Sequence, residues 1–166
     1  MADLTLLERA NEYARVCGIR LDLQTPLGHG TDGSVWKSSR KTAVKALFHS
    51  LNYTKERICY QRFADAGITK LLNFSVPQLV GFNDELQVVE MKLVNAPFIL
   101  DFAKAYIDQP PEFSAEVWRD WEQQGQELFE SRWSEVKKLL SSLKQFGIHY
   151  LDAKLGNIMF EDWPSP

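Results

Sequence analysis

The stretch YLDAKLGNIMF, Tyr150 to Phe160, decides how this chain is read. Asp152, Lys154 and Asn157 stand at offsets zero, two and five, so a carboxylate, an ammonium and an amide converge on one short loop. The apolar run that follows, Ile158-Met159-Phe160, ties the loop to a core. Far upstream lies LGHGTDGSVW, Leu27 to Trp36, with glycines at 28, 30 and 33. Glycines at that spacing let the backbone turn tightly and bring its amides close to phosphate oxygens, where a Cβ would obstruct. The triplet lies between two strand-like runs and not before a helix. That argues against a dinucleotide-binding Rossmann turn and for a hairpin laid over phosphates. Taken alone, it suits a flexible hairpin equally well.

TAVKAL, Thr42 to Leu47, places Lys45 in an apolar strand. A buried ammonium costs several kcal/mol unless it is paired. Lys45 therefore either faces water on an edge or is held by a carboxylate. A helix over residues 52–66, stopped by Gly67, offers the carboxylate: Glu56, Tyr60 and Phe63 share one face, and Glu56 is its acid. Val76 to Phe82 and Leu86 to Leu93 read as fourth and fifth strands around an Asn83-Asp84 turn.

The glycine loop, Lys45, Glu56, the fifth strand and Asp152-x-Lys154-x-x-Asn157 follow one another in the order of the protein-kinase signature set. The chain resembles the protein-kinase-like superfamily. The resemblance implies an α+β fold with two lobes that meet at Asn95-Ala96-Pro97. Residues 1–94 would form an antiparallel five-stranded N-lobe with a helix, and residues 95–166 a reduced, mainly helical C-lobe. It also implies ATP and Mg²⁺ as cofactors. Gly28, Gly30 and Gly33 would cover the phosphates, and Val35 and Ala43 would belong to the nucleotide site, Val35 over one face of the purine. Lys45, held by Glu56, would reach the α- and β-phosphates. In a hinge at Val88–Lys92, the backbone groups of Glu90 and Lys92 would read the adenine edge, with Val89 at the back of the pocket. Asp152 would orient and deprotonate an acceptor hydroxyl, Lys154 would neutralise charge on the transferred phosphoryl group, and Asn157 would bind Mg²⁺. Such chemistry rests on positioning and charge neutralisation.

The chain also departs from the family pattern. Leu151 stands where many protein kinases have arginine, and Ala153-Lys154-Leu155-Gly156 differs from the common Lys-Pro-Glu filling. The sequence stops nine residues after Asn157, before the place where a metal-binding Asp-Phe-Gly segment would follow. Glu161 or Asp162 would replace that aspartate only if the chain folds back, because a strand rises about 3.3 Å per residue. Two functional readings stand. One is an ATP-dependent phosphotransferase with an unknown acceptor, favoured by the joint presence of Lys45, Glu56, Asp152 and Asn157. The other is a pseudokinase, a nucleotide-binding or interaction module without transfer, favoured by the missing segment. A non-nucleotide scaffold is the third.

Elsewhere, residues 4–17 read as a helix with a Thr5–Glu8 capping box and Gly18 as its stop. Ile19 to Gln24 alternates as a first strand, and residues 35–37 and 42–48 pair as a hairpin. Phe98 to Ile107 reads as a short helix with Phe102 and Tyr106 on one side. Phe113 to Phe146 reads as a long helix, bent or split at Gly125. Its apolar residues, Trp118, Trp121 and Trp133 among them, cover more than one face, which predicts a homodimer through residues 113–146. The competing explanation is a helix folded back on itself at Gly125.

Composition bounds the rest. With 166 residues, 45% of them hydrophobic and 12% aromatic, the chain has enough apolar matter for a packed core, which argues against disorder. A net charge of −3 gives no polybasic surface for nucleic acid or anionic lipid. No run of about 18 apolar residues predicts a membrane span, and MADLTLLERANEY lacks the order of a signal peptide. Cys17 and Cys59 are in no recognised spacing and read as buried thiols of a cytoplasmic protein, with no zinc site from them and the three histidines.

Overall fold

The alternation of β3 (Thr42–Leu47) explains how the sheet is covered. Successive side chains on a strand point to opposite faces. Val44 and Ala46 join Leu6, Ala10, Tyr13, Trp36 and Val88 in one buried cluster, while Ala43 and Leu47 join Tyr53, Cys59, Tyr60 and Phe63 in another. Lys45 therefore projects to the second face. The computed structural model, which describes residues 4–163, places a helix on each side. α1 (Leu6–Val16) covers the first face and α2 (Ser50–Asp65) the second. The expected capping box opens α1: Thr5 Oγ1 accepts from the Glu8 amide at 3.2 Å, and the Glu8 carboxylate accepts from the Thr5 amide at 2.8 Å. Cys17, just after α1, is exposed and not buried as expected, while Cys59 is buried. The outermost ends of the two expected lobes, residues 1–3 and 164–166, lie outside the described residues.

The sheet between the helices is five-stranded and antiparallel. Its order is β1 (Gly28–His29), β2 (Gly33–Lys37), β3, β7 (Val88–Lys92), β6 (Leu79–Asn83). The chain is thus an α+β protein. The expected strand at 19–24 is reduced to an isolated bridge between Leu21 and Ser38. The expected fourth strand begins later, at Leu79, past Pro77, which has no amide to give a ladder. A short hairpin, β4 (Lys70–Leu71) and β5 (Phe74–Ser75), precedes it.

The largest departure lies at residues 98–107, which do not form a helix. They form β8 (Phe98–Ile99) and β9 (Tyr106–Ile107) around a tight turn. Phe98, Phe102 and Tyr106 recur at helical spacing, but strand pairing overrides that local pattern. β8 lies antiparallel to β11 (Ile158–Met159), with Ile99 opposite Ile158, and β9 antiparallel to β10 (Ile148–His149). Asp101 adopts φ +66°, a conformation foreign to a right-handed helix. β8 also pairs with β5, so the sheet order is β11-β8-β5-β4.

The long helix is two helices. α3 (Ala115–Phe129) and α4 (Trp133–Leu143) are separated by a 3₁₀ turn over Glu130–Arg132, where Glu130 has φ +50°. The break is there and not at Gly125. Gly125 has another reason to be glycine: a Cβ on it would lie 2.2 Å from Cζ2 of Trp133. The returning α4 buries Trp133, Val136, Leu139, Leu140 and Leu143, and Phe129 is buried with them. The apolar stripe on which a homodimer was expected is thereby largely covered within the chain, leaving Phe113, Val117 and Leu128 as the exposed large apolar residues of 113–146. One core cluster runs from Ala43 and Phe63 through Phe102 to Trp133 and Leu143, continuous across the connection at 94–97. No helix among the described residues is long and apolar enough to cross a membrane.

Candidate active site

A cavity of about 500 Å³ opens beneath the glycine loop. Its apolar lining includes Leu27, Val35, Ala43, Met91, Val94 and Leu100. Its polar lining includes Lys45, Glu56, Asp101, Lys154 and Asn157. The three loop glycines have different reasons to be there. A Cβ on Gly33 would meet the Ala46 carbonyl oxygen at 2.1 Å, so close strand packing requires glycine. At Gly28 and Gly30 a Cβ would meet nothing within 4 Å, and neither has a left-handed φ. The fold does not demand glycine at those two positions, yet both line the cavity.

Lys45 is nearly fully buried, and its Nζ donates to Glu56 Oε2 at 2.7 Å and to Asp101 Oδ1 at 3.1 Å. Glu56 is where its helix face predicts, opposite β3. Burial works to discharge the Lys45 ammonium, but the Glu56 and Asp101 carboxylates outweigh it and hold the group above the usual lysine range. Burial also pushes the Glu56 carboxyl up to about 7, against the pull of Lys45 and with the charge of Asp101 adding to the rise. Two carboxylates thus share one ammonium at the back of the cavity.

Asp101 is the residue that sequence reasoning missed. It belongs to Asp101-Phe102-Ala103, which precedes Asn157 by fifty-six residues instead of following it. The sequence holds no Asp-Phe-Gly, but Asp101 brings a carboxylate beside the loop from upstream. Antiparallel pairing of β8 with β11 makes the two segments neighbours: the Leu100 amide donates to the Asn157 carbonyl at 2.9 Å, next in sequence to Asp101. The proposed substitute, Asp162, is instead engaged by Arg132 at the turn between α3 and α4, and neither Glu161 nor Asp162 lines the cavity.

The loop from Asp152 to Asn157 is tightly held. Asn157 Nδ2 lies 3.3 Å from both the backbone carbonyl and Oδ2 of Asp152. Lys154 Nζ lies 3.3 Å from the same Oδ2. Trp121 Nε1 donates to the Leu151 carbonyl at 3.0 Å, and Tyr150 Oη to the Leu100 carbonyl at 2.9 Å. A column of rings connects α2 to this loop: Tyr60 meets Phe102 at 5.4 Å, and Phe102 meets Tyr150 at 5.3 Å, both edge to face. The column sets the relative positions of Glu56, Asp101 and Asp152 through the residues adjacent to it.

Of the two residues expected at an adenine edge, one lines the cavity. Lys92 lines the cavity, together with Met91, Leu93 and Val94, but Glu90 does not. The Glu90 side chain is buried on the α1 face, where Arg40, Thr42 and Tyr13 all donate to it. Burial works to raise that carboxyl, but these three partners hold it below the usual range. Period-two alternation from Val89, which packs on the α2 face, dictates this placement.

No protein-family model matches the chain. No curated protein matches it. Among solved structures, APH(2")-IIa in its ternary complex with streptomycin and ATP is similar at 16% identity, with a TM-score of 0.43, over 80% of this chain and 35% of that one. This chain spans about a third of the length of that protein.

Proposed function

We propose that the chain binds ATP with Mg²⁺ and transfers the γ-phosphoryl group to an acceptor hydroxyl. The observation that carries this reading is the convergence of Lys45–Glu56, Asp101 and Asn157 on one cavity, with Asp152 hydrogen-bonded to Asn157 behind it. The cavity suits a nucleotide. One part of its wall is apolar, as a purine needs, and Gly28 and Gly30 leave open the space that side chains would otherwise fill. The donor set also suits Mg²⁺, which commonly takes one or two carboxylates and completes its shell with phosphates and water. Asp101 and Asn157 would hold the ion, which when bound neutralises phosphate charge.

Within this reading, Lys45 keeps Glu56 as its partner and offers its remaining protons to phosphate oxygens. Val35 and Ala43 bracket the base, and the backbone of Lys92 lies at its edge. Asp152 accepts the proton of the acceptor hydroxyl. Lys154, now paired with Asp152, can turn to the phosphoryl oxygens. Asp101 in the cavity lining supports this reading over the pseudokinase alternative. Transfer from radiolabelled ATP into candidate acceptors, or slow release of labelled phosphate, tests the proposal. Asp152→Asn should bind ATP as the wild type does but turn over about 10²-fold more slowly. Nucleotide binding with no turnover in either form would return the chain to the pseudokinase reading.

A further inference from the structure

Asp32 is an odd residue at the tip of a loop proposed to cover phosphates. It lines the cavity, yet its carboxylate is largely buried, and an anion there repels another anion. Two residues hold it. Asn52, from the first turn of α2, donates to Oδ1 at 3.0 Å. Lys104 places its Nζ 3.3 Å from Oδ2 and also 3.3 Å from Thr31 Oγ1. Lys104 follows Asp101 by three residues, so its side chain bridges the Asp101 segment to Thr31 and Asp32 of the glycine loop; Asp101, Thr31 and Asp32 all line the cavity.

We infer that Lys104 and Asp32 form a latch across the phosphate end of the cavity, which holds the glycine loop down and cancels its negative charge so that polyphosphate can enter. The inference rests on the nucleotide reading above for its ligand, but the contact itself does not. Lys104 is a positioning residue here. Its cation makes the loop tip neutral, and Asn52 keeps the carboxylate aimed at it. Without Lys104, Asp32 would present an uncompensated charge to the phosphates.

The test is a double-mutant cycle read with two ligands. Binding of ATP and of adenosine is measured by calorimetry for wild type, Lys104→Ala, Asp32→Asn and the double variant. Lys104→Ala should weaken ATP about tenfold or more, because a like charge is left facing the phosphates. The double variant should recover to within about threefold of Asp32→Asn alone, because the offending charge has gone. Adenosine, which has no phosphate, should bind all four alike. An unchanged ATP affinity in Lys104→Ala, or a double variant as weak as Lys104→Ala, overturns the latch. Amide hydrogen exchange over residues 28–34 separates this from a failure of the nucleotide reading. If the wild type binds no ATP, that reading falls, and exchange alone decides the latch. Faster exchange there in Lys104→Ala, with α2 unchanged, supports it, and unchanged exchange overturns it.

Discussion

Under the proposed function, Asp101→Asn should separate metal binding from folding. The variant keeps the shape of the side chain and removes one charge. Asp101 Oδ1 accepts from Lys45 at 3.1 Å, and a hydrogen bond between charged groups contributes about 1.5–3 kcal/mol. The asparagine oxygen still accepts there, so about half of that is retained, since neutral partners are roughly half as strong. Loss of the Asp101 charge also relieves Glu56, whose carboxyl it helps to raise. The net change in unfolding free energy should therefore be within about 1 kcal/mol. The effect on Mg²⁺-nucleotide should be much larger, because a carboxylate ligand has gone: affinity for ATP with Mg²⁺ should fall by about tenfold or more. In EDTA the sign reverses or vanishes, since one fewer anion faces the phosphates. Calorimetric titration of ATP with Mg²⁺ and with EDTA reads both, and urea denaturation reads stability. Asp162→Asn is the control, because Asp162 is engaged by Arg132 outside the cavity lining. Equal weakening of ATP with and without Mg²⁺, or a larger effect of Asp162→Asn, would refute the reasoning.

Lys45→Met should weaken ATP by about tenfold or more through loss of a charge-assisted phosphate contact, while adenosine binds within about twofold of wild type; equal losses for both ligands would point to a damaged fold. Gly125→Ala should cost about 1–3 kcal/mol in denaturant unfolding, because its methyl group would lie 2.2 Å from the Trp133 ring; a neutral result would mean that α3 and α4 do not pack this way. Glu56→Gln tests the buried carboxyl, whose folded pKa is raised to about 7. A raised acid binds more protons folded than unfolded between its two pKa values, so its contribution is full at low pH and is lost as pH rises towards 7. The stability of wild type relative to Glu56→Gln should fall over that window by up to about 1.4 kcal/mol per pH unit, and a rise would contradict the assignment.

The parts of this site that lie close together in sequence were legible there. Lys45 is a charge inside an apolar strand, Glu56 is the acid on a helix face, and Asp152 and Asn157 share a loop. Each can be read from period and offset, and each lines or adjoins the cavity. Glu90 was expected to offer its backbone to an adenine edge, but it lies within the paired part of β7, opposite Val44 and Gly81, and does not line the cavity. Asp101 was hidden for two reasons. Phe98, Phe102 and Tyr106 imitate a helix, and the segment comes before the loop it serves. Proximity there is set by antiparallel pairing of β8 with β11, which sequence order does not encode. The one local signal was a short apolar strand ending in an acid, an aromatic and a small residue. Likewise the return of α4 onto α3 depends on Trp133 meeting Gly125, a contact between residues eight apart that helical periodicity cannot show.

Paramagnetic broadening by Mn²⁺-ATP tests the central claim most directly, because the ion reports which side chains hold it. Added in substoichiometric amounts to isotope-labelled protein, it should bleach the resonances of Asp101 and Asn157 first, with Lys45 and the glycine loop close behind. Glu161 and Asp162 should remain visible. Bleaching centred on Glu161 and Asp162, or broadening that Asp101→Asn leaves unchanged, would contradict the account.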